Sequence, residues 1–170
     1  VLDEKNKLVK VDKIDLDYFD NSDKKNKFVF SRTKENSYKL YGSLFNADNL
    51  ITNLLKSKKD QKLDIFRENV NIKLNFSNVY LDKSNAVRDL NGKLRIVDKK
   101  LDQAEISAIF DNNKNLTFTI NTNKDDEKIT TLYSSKAKPL VDRYKFIKDF
   151  EDSDEGYLDF YSSKKDGISN

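Results

Sequence analysis

The chain contains no histidine, cysteine, methionine or tryptophan among its 170 residues, and only one proline. Without histidine and cysteine, most nucleophile–base pairs and the commonest zinc sites are excluded. The absence of cysteine also means that disulfides cannot indicate a redox compartment. The four glycines are isolated, so the chain has no glycine-rich phosphate loop. We therefore expect a protein that is not an enzyme, with no catalytic residues, no metal and no cofactor.

The chain also lacks a large excess of either sign of charge, because 32 Lys and Arg residues against 29 Asp and Glu residues leave a net charge of only +3. The two signs are interspersed along the chain, and no basic stripe is visible, so we expect no nucleic-acid partner. No apolar stretch approaches the roughly 20 residues of a membrane span, and no signal peptide is visible. Since the chain begins at Val1 and lacks methionine, we expect an excised or processed piece whose membrane anchor lies outside it.

What the chain has in abundance is alternation of apolar and polar residues. The same period of two recurs in several successive segments, in the order Ile72, Leu74, Phe76; Leu90, Leu94, Ile96; Ala104, Ile106, Ala108, Phe110; and Leu116, Phe118, Ile120. Each such segment places its apolar side chains on one face of a strand. An antiparallel sheet that is apolar on one side must cover that side with protein or with a ligand. The pattern predicts an α+β, β-dominated fold, with a curved, mostly antiparallel sheet and two short amphipathic helices.

The first part of the chain predicts strands followed by one helix. Leu8 to Phe19 forms a strand whose phase slips, which indicates a β-bulge. Phe28 to Ser31 and Tyr38 to Leu44 form a hairpin. Asn46 is the predicted N-cap of a helix. The apolar residues of that helix recur at helical spacing, at Ala47, Leu50, Ile51, Leu54 and Leu55.

The second part repeats this arrangement with a longer meander. A long extended stretch, Leu63 to Leu81, slips in phase near Arg67 and near Ser77 and Asn78, so it is either two strands or one bent strand. The meander that follows has four strands, at Ala86 to Val97, Leu101 to Phe110, Asn115 to Asn121 and Lys128 to Tyr133. A helix begins near Ser135 with Pro139 in its first turn, and a last strand begins at Gly156. We expect one fragment, residues 1–170 of a longer repeat region, with sub-units at roughly 8–62 and 63–163 that each contain strands and one helix.

Three polar clusters contain residue types that can support catalysis or metal binding. Ser134, Ser135 and Lys136 are better explained as a helix-capping segment than as a Ser–Lys catalytic pair. The acidic residues between Asp149 and Glu155 lack the spacing and the central glycine of an EF-hand loop, which favours a solvated loop. The same interpretation applies to the aspartates at positions 15, 17, 20 and 23.

Several local patterns resemble the AsmA-like family of large bacterial envelope proteins. The segment VNIKLNFSNVYLDKSNAVRDLNGKLRI (70–96) contains a strand followed by a Leu-x-Gly-x-Leu element at Leu90, Gly92 and Leu94. Similar companion strands are KKLDQAEISAIF (99–110) and NLTFTINTN (115–123), and YGSLFNADNLITNLL (41–55) resembles the entry to the family's preceding helix. SSKAKPLVDRYKFIKDFEDSDEGYLDF (134–160) resembles its helix and the Gly-x-Leu strand that follows. The resemblance covers roughly 120 residues and carries no catalytic signature.

The resemblance implies a long sheet folded lengthwise into a trough, with an apolar interior that accommodates phospholipid acyl chains between the inner and outer membranes. It implies a periplasmic location in a Gram-negative cell envelope, anchored to the inner membrane by segments outside this chain. The residues predicted to line the apolar groove are Ile72, Leu74, Phe76, Leu94, Ile96, Ile106, Phe118 and Ile120. Leu50, Leu54, Leu140 and Tyr144 on the two helices are alternative occupants that would plug the trough or its ends.

Two further expectations concern protein partners. The alternative to a lipid groove is a closed β-rich scaffold or binding module, in which side chains of both helices cover the apolar face and the partner is a protein. A sheet cut from a longer trough would also leave unpaired edge strands. We therefore expect edge-to-edge pairing with another copy.

Overall fold

The computed structural model describes residues 12–51, 69–98, 100–125, 127–144 and 156–165. Within these ranges, nine strands make one sheet in which spatial order follows chain order. Their bounds are β1 Lys13–Phe19, β2 Lys25–Lys34, β3 Ser37–Asn46, β4 Val70–Tyr80, β5 Ala86–Val97, β6 Lys100–Phe110, β7 Lys114–Thr122, β8 Glu127–Ser134 and β9 Leu158–Lys165. The sheet is open, with β1 and β9 at its edges. The predicted fold class, a curved β-dominated sheet with two short helices, is confirmed.

Neighbouring strands are antiparallel except at one position. β3 and β4 pair in parallel, from Ser37 opposite Asn71 to Asn46 opposite Tyr80. A parallel pair needs a crossover connection, and helix α1 begins in this one at residue 48 and is described to residue 51. The second helix, α2 (Lys138–Tyr144), connects β8 to β9, but these two strands pair antiparallel. The two strand–helix–strand units therefore differ in topology, although their sequences follow the same order of elements.

The side chain of Asn46 caps the start of α1. Its Oδ1 accepts a hydrogen bond from the amide of Asp48 at 3.1 Å, and the first helical bond runs from the Ile51 amide to the Ala47 carbonyl at 2.8 Å. The structural N-cap position is therefore Ala47, one residue later than predicted. Asn46 supplies the hydrogen bond that Ala47 cannot. Helix α2 begins at Lys138, three residues after the predicted start, and Pro139 lies in its first turn as expected.

A row of extra residues crosses three neighbouring strands. The register slips by one between β2 and β3, where Ser43 is unpaired, and between β5 and β6, where Asp89 and Leu90 face Ala108. Ser43 of β3, Ser77 of β4 and Asp89 of β5 lie opposite one another, so these three strands stay in register with each other. Asp89 has a positive φ of 52°, as in a β-bulge. These bulges keep the apolar residues beyond them on the same face, and β4 continues through the predicted phase slip at Ser77 and Asn78 as one strand.

Most of the described core lies on one face of the sheet, in two clusters. Cluster 1 contains Ala47, Phe76, Val79, Leu81, Val87, Ala108, Phe110, Leu116 and Leu140. Cluster 2 contains Val70, Ile72 and Ile96. Leu40 packs against both clusters, which joins them into one apolar face. Leu140 of α2 and Ala47 at the start of α1 bring the two helices onto cluster 1.

Arg143 of α2 ties both helices to the turn after β4. Its Nη1 donates to the Leu81 carbonyl at 2.7 Å, and its Nη2 contacts the carbonyl and the Oδ1 of Asp48, both at 2.9 Å. The Arg143 side chain is 11% exposed and that of Asp48 is 25% exposed. This ion pair is therefore largely shielded from water, and it fixes the helices over one end of the apolar face.

Candidate functional site: a transverse apolar row on an open sheet

The strand registers place all of the predicted groove residues on the same face. Ile72 pairs with Leu94, which pairs with Ala104, and Ala104 pairs with Ile120. Ile106 and Phe118 are directly opposite each other in the next row. The buried members of the set are Ile72, Phe76, Ile96 and Ile120, and the half-buried members are Leu74, Leu94, Ile106 and Phe118. The structure thus divides the predicted set into core residues and residues that remain partly accessible.

One row of residues crosses the whole sheet on this face without a polar side chain. We call it the transverse apolar row, and its members, from β1 to β9, are Ile14, Phe30, Leu40, Leu74, Gly92, Ile106, Phe118, Leu132 and Phe160. Each member pairs directly with the next across the strand boundary. Ile14 is 39% exposed, and the others are half-buried. An uninterrupted apolar line therefore runs across the strands and stays partly accessible along its length.

The residues beside this row are covered more completely. On the side toward the helices, Phe76 of β4 and Leu116 of β7 belong to cluster 1 and are buried. On the other side, Ile72 and Ile120 are buried as well. Leu90 and Leu94 in these flanking rows are half-buried. Between β4 and β7 the transverse apolar row is therefore the least covered part of the apolar face, because each of its members there is half-buried.

The helix residues that were predicted as alternative occupants of the trough behave differently from one another. Leu140 is 6% exposed and packs in cluster 1, so it fills one end of the apolar face. Leu50 is 51% exposed. Leu54 and the side chain of Tyr144 lie outside the described residues.

Sequence reasoning identified only part of the transverse row. The sequence predicts Leu74, Ile106 and Phe118 as groove residues. It places Phe30, Leu40, Leu132 and Phe160 in separate predicted strands and does not align them with the groove. Joining them requires the parallel register that sets Leu40 opposite Leu74 and the pairing of Leu132 with Phe160 after α2. The sequence shows the unbroken alternation of apolar residues within each strand. It does not show the register that aligns one strand with the next.

The row spans the full breadth of the sheet. Its nine members cover eight strand spacings, and at about 4.8 Å for each spacing the row is about 38 Å long. Gly92 lies at its centre between Leu74 and Ile106. A Cβ there would stand 3.3 Å from Leu74 Cδ1 and 3.2 Å from Ile106 Cγ1, so these two side chains already close over the position that glycine leaves open.

The clusters weighed for chemistry take structural roles where they are described. Ser134 is fully buried, and its Oγ donates to the Lys136 carbonyl at 2.7 Å. Ser135 Oγ accepts from the Asn115 amide at 2.7 Å. These bonds hold the segment before α2 in place, in agreement with a capping role. The acidic stretch between Asp149 and Glu155 lies outside the described residues, and within the described part of the chain no group of acidic side chains is arranged to hold a metal ion.

Asp20 organises the turn between β1 and β2 instead of lying in a solvated cluster. Its carboxylate accepts hydrogen bonds from the Asn46 side chain at 2.6 Å, the Ser22 amide at 2.8 Å and the Asn26 side chain at 3.2 Å. Desolvation raises the pKa of Asp20, but these bonds and one from the Lys24 amide favour the ionised form and together hold its pKa below the ordinary value. Asn26 is 1% exposed and accepts from the Asn46 amide, so the network joins β2 to the end of β3.

No helix in the described ranges is long and apolar enough to cross a membrane. Comparisons of the chain with protein-family models, with curated proteins and with solved structures found no match.

Proposed function

We propose that this chain is a non-enzymatic segment of an AsmA-like envelope protein and that it shields phospholipid acyl chains during transport between the inner and outer membranes. The observation that supports this proposal is the transverse apolar row, which crosses all nine strands and remains partly accessible from edge to edge. A guest that runs along the row would pass from one strand to the next. Because the sheet is open, the row can continue into a neighbouring sheet at either edge.

The hydrophobic effect would drive binding of an acyl chain along the transverse apolar row. Each lipid methylene that leaves water contributes about 0.8 kcal/mol, so even partial shielding of an acyl chain is favourable without any specific polar contact. The row offers phenylalanine, leucine and isoleucine side chains, which attract hydrocarbon without directional bonding. This fits a carrier that accepts a moving chain, and no bond-making chemistry is needed.

The alternative, a closed scaffold module for a protein partner, requires the apolar face to be covered more completely. Such a module would bury the middle row beneath its own side chains, because an uncovered apolar face is unfavourable in water. In this fold, Leu140 of α2 covers cluster 1, while Ile106 and Phe118 remain half-buried. The difference in coverage favours the lipid groove over the scaffold.

The proposal is tested by measuring lipid uptake from vesicles. We expect the purified chain, mixed with phospholipid vesicles and separated from them, to retain phospholipid detectable by native mass spectrometry. Phe118→Asp places a charge within the transverse apolar row on β7, and we expect it to abolish uptake. Its matched control is Thr117→Asp, which adds the same charge on the same strand at an exposed position of the opposite face.

Circular dichroism would establish that both variants keep the fold before their lipid content is compared. Absence of phospholipid on the parent chain would contradict the proposal. Equal uptake by Phe118→Asp and the parent would contradict the assigned face. Equal loss in both variants would show that added charge, and not the row, controls the result.

A further inference from the structure

The polar face of the sheet carries a row of lysines that the sequence does not show. Lys39 of β3 pairs directly with Lys73 of β4, and Lys73 pairs directly with Lys93 of β5. Like charges directly opposite one another on neighbouring strands are destabilising. The three residues are 20 or more positions apart in the sequence, so only the strand register brings them together. We call them the lysine row.

The three lysines of the row differ in how far nearby groups offset their positive charge. Lys93 Nζ lies 3.3 Å from Glu105 Oε2, with both side chains largely exposed. Lys39 Nζ lies 5.8 Å from the centre of the Tyr41 ring, which offers a weak cation–π contact. Among the described residues, no carboxylate lies within ion-pair distance of Lys73, which stands between the other two. The centre of the row therefore has the least compensated positive charge.

A groove of about 560 Å³ lies over these residues. Two adjacent polar rows contribute to it, the lysine row with Glu105 and the next row with Asn71, Arg95 and Gln103. Successive residues of a strand point to opposite faces of the sheet, so two polar rows separated by one apolar row lie on the same face. The groove that both polar rows line therefore lies on the polar face. Its volume is in the range of small-molecule sites, about 300–1,000 Å³.

The chemistry of this groove suits an anion with several phosphate groups. From Lys39 to Lys93 the row covers two strand spacings, about 10 Å. Ammonium groups bind phosphate as point charges, and the amides of Asn71 and Gln103 can donate hydrogen bonds. One phosphate would meet only two neighbouring lysines, whereas a linear oligophosphate would meet all three.

We infer that the groove over Lys39, Lys73 and Lys93 binds a water-soluble oligophosphate anion. A soluble anion is favoured over a lipid headgroup because the transverse apolar row lies on the opposite face of the sheet, so a headgroup held here would leave its acyl chains without an apolar surface. This site is independent of the proposed lipid groove.

Titration calorimetry of the full chain with inorganic tripolyphosphate tests the inference. We expect saturable binding that weakens as salt is added, since the attraction is between exposed charges. Lys73→Gln should weaken binding about tenfold, equivalent to about 1.4 kcal/mol. Lys114→Gln is the matched control, because Lys114 is exposed and lies seven residues along β7 from the groove residue Asn121, about 23 Å away.

A thermal melt adds an independent readout. Without tripolyphosphate, Lys73→Gln should melt above the parent, because the substitution removes both like-charge pairs. With tripolyphosphate, the parent and Lys114→Gln should gain melting temperature, and Lys73→Gln should gain little.

Lack of saturable binding by the parent, unchanged binding by Lys73→Gln, or an equal loss in Lys114→Gln would overturn the inference. A parallel arm uses vesicles of anionic phospholipid. Binding to these vesicles that depends on Lys73, together with no response to tripolyphosphate, would overturn the assignment to a soluble anion.

Discussion

Replacing Gly42 with alanine should destabilise the fold much more than the same change at Gly92, because β3 approaches β2 closely beside the bulge at Ser43. A Cβ built on Gly42 would lie 2.3 Å from the Lys27 carbonyl oxygen and 2.6 Å from the Phe28 Cα. Both neighbours are backbone atoms, so relief requires the two strands to separate and the bulge at Ser43 to rearrange.

The magnitude follows from two opposing effects. Overpacking of a well-packed site costs about 1–3 kcal/mol, and a backbone clash this close belongs at the upper end. Alanine in place of glycine recovers about 0.4–1 kcal/mol by restricting the unfolded chain. We therefore expect Gly42→Ala to lower the free energy of unfolding by about 2 kcal/mol.

Gly92→Ala is the matched comparison within the same sheet. Its new Cβ would meet the Glu105 carbonyl oxygen at 3.1 Å, Ile106 Cγ1 at 3.2 Å and Leu74 Cδ1 at 3.3 Å. None of these distances is below 3.0 Å, so relief requires shifts of only a few tenths of an ångström in the carbonyl and the two side chains. The packing cost is therefore small and the unfolded-state effect offsets it, leaving a change within about 1 kcal/mol of zero.

Urea unfolding followed by circular dichroism measures both variants against the parent. If Gly42→Ala proves as stable as Gly92→Ala, then the close approach of β2 and β3 and the bulge that creates it are not features of the folded chain.

Three other predictions concern stability and association. Arg143→Ala should lower the free energy of unfolding by about 3 kcal/mol, because it removes three hydrogen bonds and leaves the Asp48 carboxylate without its guanidinium partner; urea unfolding that shows a loss under 1 kcal/mol would contradict this role. Stability should fall as the pH drops below about 4, since the folded-state pKa of Asp20 lies below its ordinary value of 3.8 and the unfolded state binds the proton first; Asp20→Asn should flatten this dependence in urea titrations at several pH values, and an unchanged slope would refute the assignment. Analytical ultracentrifugation should reveal concentration-dependent association through the open edges β1 and β9, and a single monomeric species at high concentration would contradict edge pairing.

Alternation of side chains predicted most of the described strands closely, because the period of two is a local property. β5 has the predicted bounds, Ala86 to Val97, and the two predicted hairpin strands, Phe28 to Ser31 and Tyr38 to Leu44, lie within β2 and β3. The predicted strand before Lys13 and the extended stretch before residue 69 lie outside the described residues. The predicted division into sub-units at 8–62 and 63–163 stays a prediction.

Features that depend on pairing between strands were beyond the sequence. The parallel alignment of β3 with β4 depends on the crossover and not on either strand's pattern. The phase slip at Ser77 was visible, but its continuation at Ser43 and Asp89 appears only when the three strands lie side by side. The lysine row was missed for the same reason. Net charge and local charge patterns describe residues that are close in the sequence. The lysine row is instead formed by residues that the strand register brings together.

Site-specific photocrosslinking would show whether the transverse apolar row holds acyl chains. A photoreactive phenylalanine analogue at Phe118 and, in a second sample, at Thr117 would probe the two faces of β7 at adjacent positions. After exposure to phospholipid vesicles and irradiation, we predict a lipid adduct at position 118 and none at 117. Adducts of equal yield at both positions, or at neither, would contradict the account.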